Sequence, residues 1–154
     1  MVRILFVCHG NICRSPMAQY LLAHLAAERG LACRTQSAAT SREEIGNPIY
    51  PPARRKLREK GIPFGDHRAV QMTRQDYGAY DLLLAMDQAN VRNMTAIAGG
   101  DPAGKIHRLL DFTDHPRDIA DPWYTGDFEA TYDDLLQGCQ ALLDWLEGQD
   151  PPCV

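Results

Sequence analysis

The sequence predicts an α/β fold, a single domain built on a doubly wound, four-stranded parallel sheet with helices on both faces. Three observations carry that expectation. Short apolar runs of strand length, such as Ile4-Leu5-Phe6-Val7 and Leu82-Leu83-Leu84, alternate with longer helical patterns, as βαβ units require. The runs lack polar alternation, as strands covered on both faces do. At 154 residues the chain can fill one real core but not two.

Residues 2–8 read as a fully buried first strand, and 17–30 as a helix with Leu21, Leu22 and Leu25 turned inward. A second strand is expected over 33–38. The stretch 39–52 is rich in Pro, Gly, Ser and Thr and reads as a loop, followed by a basic helix over 53–60 that Gly61 ends. Residues 80–85 form the third strand, with Met86-Asp87 at its carboxyl end. A helix over 90–98, a fourth strand over 105–110 and a long terminal helix over 128–146 complete the order. The domain is expected to span 1–150, with 151–154 a C-terminal tail that frays from Gln149.

Composition narrows the function classes. Apolar residues make up 45% and charged residues 23%, the balance of an ordinary soluble domain. A net charge of -4 argues against a broad nucleic-acid footprint. No apolar run approaches membrane-spanning length, and the first residues lack the apolar core of a signal peptide. Five cysteines at irregular spacing point to reduced thiols in the cytoplasm, and none has zinc-site spacing with histidine. No metal or cofactor is expected.

The chemistry is concentrated in Cys8-His9-Gly10-Asn11-Ile12-Cys13-Arg14-Ser15-Pro16. A strand ends in a cysteine, Gly10-Asn11 can take positive φ, and Ser15-Pro16 opens a helix. Such a loop turns its N–H groups inward as an anion nest, phosphate-binding in kind, and the helix dipole adds positive potential. Arg14 supplies a planar fork suited to phosphate oxygens. The field that holds a phosphate also stabilises a thiolate, so Cys8 is expected to be nucleophilic at neutral pH and to pass through a phosphocysteine. The plainer alternative is a buried strand-end cysteine and a solvated arginine, and the loop residues between them weigh against it. Breaking a phosphomonoester also needs an acid, and Asp121 in Asp121-Pro122-Trp123-Tyr124 is the candidate, with Asp118 its rival. Pro122 biases Asp121 towards an extended conformation, although Asp-Pro is also a common turn pair. Trp123 and Tyr124 are either pocket walls or partly core. Ser15 either donates to the Cys8 thiolate or caps the helix.

The loop resembles the signature of the low-molecular-weight protein tyrosine phosphatases. The resemblance continues through Ser37-Ala38-Ala39-Thr40-Ser41, Glu44-Ile45-Gly46-Asn47-Pro48, Gly61-Ile62-Pro63, His67, Met86-Asp87 and Asp121-Pro122-Trp123-Tyr124. It implies a phosphatase acting on phosphotyrosine proteins or peptides and releasing inorganic phosphate, as a monomer or weak dimer. It assigns Cys8 as nucleophile, Arg14 as phosphate ligand and Asp121 as general acid, then base. His9, Gly10, Asn11, Ile12, Cys13 and Ser15 would line the substrate site, with Trp123 and Tyr124 as walls and Ser37 and His67 as supports. Asp87 would brace the site. Glu43 stands where the family often has an aromatic wall. Cys13 matches the family's resolving cysteine, which would pair with an oxidised Cys8; otherwise it is a small buried loop residue.

Three other functions use or mimic this loop. Thiol-linked arsenate reductases need a further downstream cysteine pair, and no cysteine lies between Cys33 and Cys139. Protein-arginine phosphatases resemble the chain but carry Thr where Ile12 stands, and Ile12 offers an apolar surface to an aryl ring. A non-catalytic phosphate-binding module would have no use for Cys8, Arg14 and Asp121 together.

Overall fold

Alternation along the first apolar run divides its side chains between two cores. In the computed structural model, which describes residues 1–148, Ile4, Phe6 and Cys8 join one buried cluster while Leu5 and Val7 join another. Successive strand residues point to opposite faces, so this strand, β1 (Val2–Cys8), is buried on both sides. The remaining strands are β2 (Cys33–Ala39), β3 (Leu82–Ala85) and β4 (Ile106–Arg108). All pair in parallel, in the spatial order β2-β1-β3-β4. The helices in chain order are α1 (Arg14–Arg29), α2 (Pro51–Glu59), α3 (Asp76–Ala79), α4 (Gln88–Ala98), α5 (Pro122–Thr125) and α6 (Phe128–Glu147). Helices α1, α2 and α6 cover the Phe6 face, with Met17, Leu21, Leu22, Leu57, Leu135 and Leu142 in its core. Helix α4 covers the other face through Met94. This is the doubly wound sheet expected from the alternation of elements.

Several boundaries move, each for a physical reason. Helix α1 begins at Arg14, not 17, because Pro16 falls in the first turn, where its missing N–H costs nothing. Pro51 and Pro52 open α2 on the same principle. Helix α4 starts at Gln88 because Asp87 caps it: its Oδ1 accepts from Asn90 N at 2.7 Å, and Asn90 Oδ1 accepts from Asp87 N at 3.2 Å. The fourth strand stops at Arg108, and residues 109–112 turn as a 3-10 helix. Leu109 and Leu110 both enter the same core, and adjacent strand residues could not. Two one-turn helices, α3 and α5, were not expected. The expected tail and Cys153 lie outside the described residues.

The close seat of α6 explains a glycine within it. A Cβ on Gly138 would lie 2.5 Å from Leu109 Cγ, so the helix could not approach the 3-10 turn with any larger residue there.

Strand β2 lies on one side of β1 and β3 on the other. The chain's winding therefore reverses at β1, and the crevice outside the carboxyl end of that strand is where such sheets bind ligands. Cys8 is its last residue.

Candidate active site

The turn from β1 into α1 is made by Asn11, which at φ 62° is the one non-glycine residue with positive φ among the described residues. Gly10, which could also take positive φ, does not. Asn tolerates the left-handed region because its short polar side chain bonds locally. Asn11 Nδ2 donates to Ser15 Oγ at 2.8 Å and to Ser37 Oγ at 2.9 Å, and its Oδ1 accepts from Val70 N at 3.1 Å. Ser37 Oγ in turn donates to Gln19 Oε1 at 2.6 Å. Asn11, Ser15, Ser37 and Gln19 are all buried. Sequence reasoning missed Gln19, whose signal was a polar residue one turn after Ser15 on the inward face of α1.

The loop's carbonyls are drawn outward. Those of Cys8 and His9 accept from Thr40 N at 2.9 Å and Ser41 N at 3.1 Å. The Asn11 carbonyl lies 2.9 Å from His67 Nε2, and the Ile12 carbonyl accepts from Tyr50 N at 2.9 Å. With carbonyls held from outside, the N–H groups are left for the inside of the loop. One of them, Asn11 N, donates to Cys8 Sγ at 3.3 Å. Ser15 Oγ lies 3.0 Å from the same sulfur. Because that oxygen accepts from Asn11, its own proton is free to point at a thiolate. Ser15 makes no helix cap: the N-cap is Cys13, without a side-chain capping bond.

Arg14 is almost completely buried. Its Nη1 donates to Asp87 Oδ2 and to the Ile119 carbonyl, each at 2.8 Å, and Nη2 donates to Asp121 Oδ2 at 3.4 Å. Burial works against its charge, but Cys8, Asp87 and Asp121 outweigh burial and raise its pKa above the ordinary arginine value. Arg14 thus ties the Cys8 loop to the candidate acid. Asp121 has the extended backbone expected before Pro122 and caps α5, its Oδ1 accepting from Trp123 N at 3.1 Å. Asp118, the rival, is elsewhere: its Oδ1 accepts from Gln88 N at 2.9 Å and Arg108 Nη1 at 3.1 Å.

These groups share one pocket of about 100 Å³. It is lined by residues 8–14 together with Glu43, Glu44, Asp121, Trp123 and Tyr124. Neither aromatic is buried: Trp123 is 51% exposed and Tyr124 81%. Trp123 leans on Tyr50, with ring centroids 4.8 Å apart, and so has a fixed edge to offer. On the opposite rim His9 Nε2 pairs with Glu43 Oε2 at 3.0 Å. Glu44 was not foreseen as a lining residue. Cys13 is buried, and burial, followed by the neighbouring Cys8 and Asp121, pushes its thiol far up. At neutral pH it is therefore held as the thiol and not the thiolate. Cys139 is buried in the core on α6, away from this pocket.

His67 makes the loop sensitive to acid. Burial lowers its pKa below the ordinary 6.5, and the Asn11 carbonyl and Asp66 only partly oppose this. The unfolded chain therefore takes up a proton in a window below 6.5 where the folded chain does not. Stability should fall as pH drops through that window. Urea unfolding at pH ~7.5 and ~5.5 should show a smaller acid-induced loss in His67→Gln than in the parent. Equal losses would mean that His67 is not the group responsible.

Comparison with known proteins agrees with this geometry. A family model described as low molecular weight phosphotyrosine protein phosphatase matches residues 3–150. The chain is 40% identical over 147 residues to the low molecular weight protein-tyrosine-phosphatase YfkJ of Bacillus subtilis, covering 93% of this chain and 94% of that one. The crystal structure of YfkJ superposes with a TM-score of 0.92 at 39% identity, over 97% and 98% of the two chains. PtpA of Staphylococcus aureus, named likewise, is 34% identical over 148 residues, 95% of this chain and 94% of the relative. The YwlE arginine phosphatase of Bacillus subtilis shares the fold at a TM-score of 0.85 and 28% identity, over 97% and 99%. A match along nearly the whole length, to relatives of the same size, places the chain in the low-molecular-weight protein tyrosine phosphatase family.

Proposed function

We propose that this phosphatase hydrolyses phosphotyrosine in proteins or peptides in two steps through a phosphocysteine on Cys8. The observation that carries the reading is that a buried Arg14 spans the loop around Cys8 and the carboxylate of Asp121, so nucleophile, cation and acid share one pocket. With Nη1 committed to Asp87 and Ile119, Arg14 keeps Nε and one Nη2 hydrogen for phosphate oxygens. The inward amides take the others.

In the first step the Cys8 sulfur attacks phosphorus in line with the tyrosyl oxygen, which leaves with the proton of Asp121. In the second, Asp121 removes a proton from the water that attacks phosphocysteine, and Cys8 departs with Ser15 and Asn11 N donating to its sulfur. The loop stabilises the loose, metaphosphate-like transition state because its donors are already in place. A covalent phosphoenzyme has a precedent in the fold: the YwlE arginine phosphatase has been solved as a cysteine-to-serine mutant with a phosphorylated active-site serine. Ile12, packed near Tyr50 and Phe128, gives the pocket an apolar wall suited to an aryl ring, which favours tyrosine over arginine as the phosphorylated residue.

Cys13, buried in the same loop, is the thiol we assign to capture a sulfenic acid on Cys8 as a disulfide with loss of water. We place the enzyme in the cytoplasm, where both thiols would stay reduced. The working form is proposed to be a monomer or a weak dimer.

Two variants test the mechanism. Cys8→Ser should abolish turnover of aryl phosphates while retaining inhibitor-range binding of inorganic phosphate by calorimetry; appreciable turnover would overturn the phosphocysteine. Asp121→Asn should slow phosphotyrosine hydrolysis by about 10²–10⁴-fold and that of an activated aryl phosphate far less. Equal losses on both substrates would place the acid elsewhere.

A further inference from the structure

The wall beside the Cys8 pocket is shared with a second cleft. Trp123 lines the pocket and also a cleft of about 560 Å³ whose other walls include Tyr50, Pro52, Arg55, Pro122 and Phe128. The aromatic rings run in series: Trp123 to Tyr50 is 4.8 Å between centroids and Tyr50 to Phe128 is 6.2 Å. The indole is therefore a partition between the two spaces. The cleft falls in the size range of sites that hold several side chains or a small ligand.

Its charge comes from α2. Lys56 is committed to Glu59 and Glu129, each at 2.6 Å, and Lys60 to Glu129 at 2.8 Å. Those groups neutralise one another: the two lysines hold the Glu129 carboxyl down at about 2. Arg55 is exposed, and no hydrogen bond or ion pair engages it among the described residues. On the far rim of the Cys8 pocket the lining charges are carboxylates, Glu43 and Glu44. Glu43 is paired with His9, and Glu44 accepts from Asn47 Nδ2 at 2.6 Å. Among the groups that line the two spaces, the 40–50 segment thus supplies carboxylates and α2 an unengaged guanidinium, while the exposed Arg42 lines neither.

We propose that this cleft is a subsite for the polypeptide on one flank of the phosphotyrosine, and that Arg55 selects an acidic side chain there. The proposal rests on the phosphatase reading of the Cys8 pocket and adds a substrate class to it. A chain leaving a phosphotyrosine seated over Cys8 crosses Trp123 to reach the cleft, where Tyr50, Pro52 and Phe128 offer apolar contact and Arg55 a carboxylate partner. The other direction leads to Glu43 and Glu44, which repel acidic residues. Charge complementarity at a rim of this kind acts on selectivity and encounter rather than on chemistry.

The test uses the intact enzyme and phosphotyrosine peptides carrying Asp, Ala or Lys at each flanking position. The kcat/KM of each peptide is divided by that of a small aryl phosphate on the same enzyme, which is too short to enter the cleft. The parent should prefer Asp to Lys on one flank by roughly 3- to 10-fold at low salt, and less at high salt. Arg55→Gln should remove that preference and Arg55→Glu should invert it. Equal treatment of Asp and Lys by the parent, or a preference that survives both substitutions, would overturn the subsite. Failure of the parent to turn over the aryl phosphate would instead defeat the phosphatase reading, and the subsite with it.

Discussion

Asn11 holds its backbone at φ 62° while its side chain bonds to α1, to β2 and to the segment at Val70, and the rest of the site depends on that arrangement. A left-handed residue at this point reverses the chain between a strand and a helix without spending loop length. The side-chain bonds then fix the reversal to three separate parts of the fold. Asn11, Ser15 and Ser37 are buried, and an unsatisfied buried donor or acceptor costs about 1–3 kcal/mol. The loop is therefore set by the surrounding structure, which is the condition for preorganised stabilisation of a transition state.

Arg14 poses the opposite problem, a charge taken out of water. A buried cation is tolerated only when paired and hydrogen-bonded, and Asp87, Ile119 and Asp121 provide this. The pairing also does mechanistic service. Asp87 caps α4 at the end of β3, and Asp121 caps α5, so two helix starts are bound to the guanidinium. Asp121, the proposed acid, is thus positioned by the same residue that we propose receives the substrate's charge. Cys8, at the end of the central strand, is fixed by the sheet register itself.

Much of this was legible in the sequence because it rests on local rules. The apolar runs gave β1 and β3, and the Cys8-to-Pro16 stretch gave the strand, loop and helix start in order. The extended backbone of Asp121 was legible because Pro122 restricts it. Contacts between distant segments were not legible. Nothing in the residues 40, 41 and 50 announces that their N–H groups hold the loop's carbonyls outward. Leu109 and Leu110, the first half of the 3-10 turn, were read as the end of a strand, since a pair of leucines carries no periodicity to tell one face from two. Of Gly10 and Asn11, both able to take positive φ, only Asn11 adopts it, because glycine permits that conformation without requiring it. Glu44 reaches the pocket through tertiary packing against Gly10, which no spacing rule reveals.

The central claim is that a prebuilt loop, and not the mere presence of Cys8 and Arg14, gives the enzyme its activity. The most direct measurement is kcat/KM for an aryl phosphate, with inhibition by inorganic phosphate, in Asn11→Ala, on protein whose circular dichroism confirms the native fold. The account predicts a loss of about 10²-fold or more in kcat/KM and weakened phosphate inhibition, because both depend on the same inward donors. A variant that loses thermal stability yet keeps near-parental kcat/KM and phosphate affinity would contradict it.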